Sequence, residues 1–140
     1  HLLLLVLVTL ISFEINAQKT YALLTGVSNY GIEGVNLQNT TKDVKQLKKV
    51  LEKQGIVVTT LTSSNATGIN IEKKLKAIIQ LAKPEDKIIF YFSGHGDTGM
   101  MLTYGPEIFS YSDLMKILSK AKTKEVFCFI GIAKIFKRGD

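Results

Sequence analysis

The 140-residue chain contains a single cysteine, Cys128, two histidines, His1 and His95, and one arginine, Arg138. One cysteine excludes an internal disulfide, and with only two histidines beside it no zinc constellation can be assembled. The shortage of arginine matters as much. Of the 18 basic residues 17 are lysines, so the planar fork that reads phosphate through paired hydrogen bonds is nearly absent. The net charge of +6 rests on lysines interleaved with apolar positions, which reads as solvated helix surface and not as a nucleic-acid face. No local acidic cluster, internal repeat or low-complexity run occurs. What is present, 46% hydrophobic residues in one domain's length of chain, describes a globular domain able to bury a core.

Leu2 to Phe13 is a short continuous apolar run, followed by Glu14-Ile15-Asn16-Ala17-Gln18. The run is short for a bilayer span and lacks a stop-transfer flank, so residues 1–17 read as a secretory signal peptide cut after Ala17. This predicts a secreted or periplasmic protein whose mature part, from residue 18, is not embedded in a membrane. A lipoprotein or membrane anchor and a buried strand are the other readings of the same run. Without a positive start or an initiating methionine, His1 reads as the beginning of a fragment.

The chain is organised around Asp86 to Gly99. Ile88-Ile89-Phe90-Tyr91-Phe92 follows a Pro84-Glu85-Asp86 turn signal and reads as a strand buried on both faces, as in parallel sheets. Gly94, Gly96, Gly99 and Gly105-Pro106 then predict a loop. His95 is thereby expected at a loop tip at the carboxyl end of a central strand, where open α/β sheets gather ligands.

Around this stretch the elements alternate. Thr20 to Val27 predicts a first strand, ended by Ser28-Asn29-Tyr30-Gly31. From Asn39, Val44, Leu47, Val50 and Leu51 recur at helical spacing, with Gly55 as the stop. Ile56 to Thr62 supplies a strand. Ile71, Leu75, Ile78, Ile79 and Ala82 mark a second helix with Asn70 as N-cap. Met100 to Phe109 reads as a small hairpin on the rim of the sheet. Ser110 and Asp113 offer a capping box for a helix with Leu114, Ile117, Leu118 and Ala121 on its inner face. Glu125 to Ile130 predicts a fourth buried strand. The expected class is α/β, a mostly parallel sheet with helices on both faces.

Two readings compete for the glycine loop. Gly94-His95-Gly96-Asp97-Thr98-Gly99 matches the dinucleotide pattern G-x-G-x-x-G, which would make the chain a flavodoxin-like nucleotide or phosphate binder. That site needs a helix N-terminus directly after the glycines, and the sequence offers a hairpin instead. The other reading makes His95 a general base whose neutral imidazole takes a proton from a thiol, with glycines letting a substrate backbone approach. A lone histidine among glycines also has a purely structural reading.

Tyr21-Ala22-Leu23-Leu24-Thr25-Gly26-Val27-Ser28-Asn29-Tyr30, Leu37 to Asp43, and Tyr91-Phe92-Ser93-Gly94-His95-Gly96 together resemble the caspase-like cysteine peptidases, in particular their bacterial metacaspase-type branch, from Lys19 to about Ile130. The resemblance implies a caspase-like three-layer sandwich acting on a peptide or protein substrate. It implies His95 as the catalytic histidine, the Gly96 amide as half of an oxyanion hole, and Asp43 with Ser93 in a pocket for a basic substrate side chain. Asp43 can equally be an ordinary first-turn acid complementing the helix dipole. Calcium dependence occurs in some metacaspases, but no acidic cluster here names a site, so no cofactor is expected.

The same resemblance shows a departure. Where the family continues with Asp-Ala-Cys-His-Ser-Gly, this chain reads Gly131-Ile132-Ala133-Lys134-Ile135-Phe136. Without gaps, Ala133 stands at the nucleophile position and Gly131 at that of the pocket acid; alternatively a short segment is missing before Gly131. Cys128, inside the strand, is expected to be a small buried hydrophobe. The expectation is a caspase-like domain over residues 18–140, cut short after the fourth core strand and without turnover, with a further C-terminal portion in its intact relatives. A pseudopeptidase that keeps the fold to bind peptides is the alternative.

Overall fold

The computed structural model describes residues 17–134. The expected leader, apart from Ala17, lies outside them. Four strands run parallel: β1 (Thr20–Gly26), β2 (Val57–Thr62), β3 (Lys87–Asp97) and β6 (Val126–Lys134), in the order β2-β1-β3-β6. The hairpin of β4 (Met100–Thr103) and β5 (Glu107–Ser110) adds two antiparallel strands. Gly96 pairs with Lys134 of β6 and also with Met101 of β4. A strand has only two edges, so β4 occupies the edge of β3 that β1 uses lower down.

Period-two alternation sends the apolar runs to both faces of this sheet. Ala22 and Leu24, with Ile89 and Tyr91, meet Val44, Leu47 and Leu51 of α1 (Thr40–Lys53). Leu23, Ile88, Phe90 and Phe92 point the other way, into α2 (Gly68–Leu81) and α3 (Tyr111–Leu118). Three layers result, a mixed sheet of six strands between helices, as the alternation of elements predicts. Leu23, Phe90 and Phe92 are fully buried, and each contributes roughly 1.5–3 kcal/mol. No helix among the described residues is long and apolar enough to cross a membrane.

Local chemistry sets the boundaries. Gly55, with φ of +78°, turns the chain out of α1, and Ser110 caps α3 by accepting from the Asp113 amide at 3.0 Å. The second helix begins earlier than its apolar pattern suggests: Thr67, and not Asn70, is the N-cap, its hydroxyl accepting from the Asn70 amide at 3.2 Å. At the lower end of the sheet Asp86 ties three segments together. Its carboxylate accepts from the Lys19 and Lys83 amides at 2.9 and 2.8 Å, and its carbonyl accepts from the Thr123 hydroxyl. The two amide donors hold the Asp86 carboxyl below its usual range.

Two expectations fail here. The strand carrying His95 does not end before it but continues through Gly94, His95 and Gly96 to Asp97. The fourth core strand is not buried: β6 has β3 on one side and no strand on the other among the described residues, and Phe127 and Phe129 are 45% and 56% exposed.

Candidate active site

Gly94 and Gly96 do not turn the chain; neither has a positive φ. They are small because their neighbours come close. A Cβ on Gly94 would lie 2.6 Å from the Tyr30 hydroxyl and 2.9 Å from Phe92, and one on Gly96 would lie 2.6 Å from the Met100 carbonyl and 2.8 Å from Ile132. Those two positions face the α2/α3 layer, so the alternation sends Ser93 and His95 to the face covered by α1.

His95 is nearly enclosed, 8% exposed, and not displayed at a loop tip. Its ring lies between two backbone carbonyls, with Nε2 2.7 Å from Val35 O and Nδ1 3.1 Å from Ala133 O. Carbonyls only accept, and a neutral imidazole has one N–H. The shorter contact takes that proton, which leaves Nδ1 as the nitrogen able to receive one; only the protonated ring donates to both. Val35 thus lies on the Nε2 side of the ring and Ala133 on the Nδ1 side.

The ladder agrees. His95 pairs with Ala133 in the β3–β6 register, and paired residues in a parallel sheet present side chains to the same face. On the gapless reading of the sequence, the residue at the nucleophile position, Ala133, is thus the ladder partner of His95. Cys128 pairs with Phe90, on the opposite face and five residues down β6, roughly 16 Å away along the strand. It is exposed and not buried as expected, because β6 is an edge; partial burial still pushes its thiol up. It cannot reach His95.

Beside the histidine lies a cleft of about 300 Å³ whose walls include Thr40, Asp43, Ser93, Gly94, Gly131 and Ala133. Gly26 brings it about. A Cβ there would lie 2.8 Å from Val44 and 2.9 Å from the Thr40 carbonyl, so only glycine lets the first turn of α1 sit on the end of β1. Ser28 fixes the same turn, its hydroxyl accepting from the Thr41 amide at 3.0 Å. Asp43 is carried in that first turn to the ends of β1 and β3. Asp43 and Ser93, 50 residues apart in sequence, thus share one cleft with Ala133.

Gly96 sits next to this group, but within the sheet. The Ile88 amide donates toward β6, to Glu125 O at 3.0 Å, and the alternation of the ladder aims the Gly96 amide the same way, at the end of β6. The dinucleotide reading does not survive: β4 starts at Met100 directly after Gly99, and no helix N-terminus follows the glycines. Among the described residues no group of three or more His, Cys, Asp or Glu side chains could hold a metal ion, so no calcium site is assigned.

Two contributors escaped the sequence. Val35 acts through its carbonyl, which has no side-chain signature. Tyr30, a turn residue by sequence, is 1% exposed, and its hydroxyl accepts from the His95 amide at 2.6 Å and donates to Leu102 O at 3.1 Å. An aromatic inside an otherwise polar turn was the available signal.

Comparison with known proteins agrees with the fold. The chain is 29% identical over 90 residues to Metacaspase-2 of Trypanosoma brucei brucei (strain 927/4 GUTat10.1), covering 56% of this chain and 26% of that protein. It is equally 29% identical over 90 residues to Metacaspase-3 of Trypanosoma brucei brucei, covering 56% and 25%. The chain therefore spans about a quarter of the length of these curated relatives. Its backbone is similar to the crystal structure of protein GSU0716 from Geobacter sulfurreducens, with a TM-score of 0.67 and 19% identity over 80% of this chain and 48% of that one; this likeness concerns the fold. The model of the caspase domain matches residues 19–127, from the residue before β1 into β6, and on that match the chain belongs to the caspase domain family.

Proposed function

We propose that the cleft beside His95 is the substrate end of a caspase-type cysteine peptidase centre, which in this chain binds a peptide without cleaving it. The observation that carries the reading is the register of His95 with Ala133, a residue that lines one cleft with Asp43 and Ser93. With a cysteine at the position of Ala133, the thiol would pass its proton to Nδ1 of His95 while Nε2 stays held by Val35. The sulfur would then attack the peptide carbonyl. The oxyanion would fall to backbone amides at the end of β3, Gly96 among them. The imidazolium would return its proton to the leaving amine as the C–N bond breaks, and water would hydrolyse the thioester. Alanine offers no electron pair, so the sequence stops at binding.

Asp43 gives the cleft its preference. A carboxylate at the end of a pocket attracts a lysine or arginine side chain of the peptide, with Ser93 beside it. The apolar run at residues 2–13 supports export, so the peptides met would be outside the cytoplasm.

The test is Ala133→Cys in a chain carrying Cys128→Ser, so that one thiol is present, followed by alkylation with iodoacetamide across pH and by assay on peptides with Arg, Lys or Asp before the scissile bond. We expect a thiol that reacts at lower pH than a free cysteine, slow cleavage after Arg and Lys, and loss of both on adding His95→Ala. A thiol indifferent to His95→Ala would sink the reading.

A further inference from the structure

One edge of β3 changes neighbour exactly where the histidine sits. Gly26 of β1 pairs with Ser93, and the Val27 amide donating to Ser93 O at 3.0 Å is the last bond to β1 on that edge. Pairing resumes with Gly96 and Met101 of β4. Between the two, the amide of His95 points at an edge without a strand, and a buried amide with no acceptor is rarely left so. The Tyr30 hydroxyl fills the gap. It accepts from the His95 amide at 2.6 Å and donates to Leu102 O of β4 at 3.1 Å, so one oxygen bridges the break.

The approach is built on both sides. Gly94 is bare where a Cβ would lie 2.6 Å from that hydroxyl. The Tyr30 ring lies 5.2 Å from the imidazole, tilted by 42°. The Tyr30 amide donates to the Asn36 side chain at 3.2 Å, and the Leu37 amide to Ser28 O at 2.8 Å. These bonds close the loop that also carries Val35, whose carbonyl holds Nε2. Backbone and ring of His95 are therefore gripped by one loop rooted at Tyr30.

We propose that Tyr30 is a positioning residue for His95: its hydroxyl stands in for the missing strand at the His95 amide and, through the loop it anchors, fixes the direction in which Nδ1 faces residue 133. The role rests on the peptidase reading of the site. Tyr30 touches no substrate and transfers no proton.

The experiment uses the full chain carrying Ala133→Cys and Cys128→Ser, which leaves one thiol, and compares the pH dependence of its alkylation by iodoacetamide with that after adding Tyr30→Phe or His95→Ala. We expect Tyr30→Phe to lower the rate at neutral pH about tenfold, toward the His95→Ala value, because the thiolate loses its oriented partner, with the fold intact by circular dichroism. If Tyr30→Phe is folded and leaves the profile unchanged while His95→Ala shifts it, the positioning role is overturned and the peptidase reading stands. If His95→Ala itself has no effect, the peptidase reading falls, and the role with it. Should Tyr30→Phe fail to fold, proton NMR of the unsubstituted chain decides: a slowly exchanging Tyr30 hydroxyl proton with a nuclear Overhauser contact to the His95 amide supports the bridge, and its absence overturns it.

Discussion

His95 and Ala133 face one another across β3 and β6, with the alanine carbonyl 3.1 Å from Nδ1 and the Val35 carbonyl 2.7 Å from Nε2 on the far side of the ring. The closer carbonyl takes the single proton of a neutral imidazole. Long-range proton–nitrogen correlation should therefore show the neutral ring protonated on Nε2, with Nδ1 bare. With only His1 beside it in the sequence, His95 is readily assigned through His95→Gln. A neutral ring protonated on Nδ1 would mean that the nitrogen facing residue 133 is the donor, and would reverse the roles assigned to the two carbonyls.

Tyr30 gives the fold an alkaline limit. Burial pushes its hydroxyl up to about 12, against the smaller opposing effect of the His95 amide bond. A phenol with a folded value above its unfolded value of about 10 contributes stability that is complete below pH 10 and is lost as pH rises through 12. Absorbance titration should show one of the five tyrosines ionising last, together with unfolding. Tyr30→Phe should remove that late step. At neutral pH the same substitution should cost roughly 1–3 kcal/mol, since it strands the His95 amide and the Leu102 carbonyl, measurable by urea denaturation.

The layers of the fold were legible because they depend on local pattern. Val44, Leu47 and Leu51 keep helical spacing, and the runs at Thr20 and Ile88 have the length and β-branched content of buried strands. Asp43 and Ser93 could be named through resemblance, but their meeting depends on Gly26 admitting α1, a contact no periodicity reports. Gly94 and Gly96 misled because glycine serves two purposes, turning a chain and making room beside it, and composition does not separate them. The exposure of β6 was equally hidden: Phe127, Cys128 and Phe129 look like core, and whether a neighbour covers them is not written in their own sequence. Val50, 53% exposed, misled in the same way on α1.

The side of β6 that no described residue pairs with bears on the behaviour of the chain in solution. Phe127 and Phe129 pair with Ile89 and Tyr91, on the face of α1, and Phe129 closes an apolar cleft of about 410 Å³ with Leu47, Leu51, Ile89 and Tyr91. The outer edge of β6 carries no strand among the described residues, and among them its backbone donors and acceptors on that side have no strand partner beside the exposed aromatics. Edges of this kind pair with other chains unless a charge or a proline interrupts them, and between Val126 and Ala133 there is neither. The isolated chain should therefore associate as its concentration rises, seen as a growing sedimentation coefficient. Phe129→Lys should suppress this by placing a charge on the open face. Because Phe129 is already more than half exposed, its replacement should change unfolding free energy by no more than about 0.5–1 kcal/mol. Association that persists undiminished in Phe129→Lys would place the contact elsewhere on the molecule.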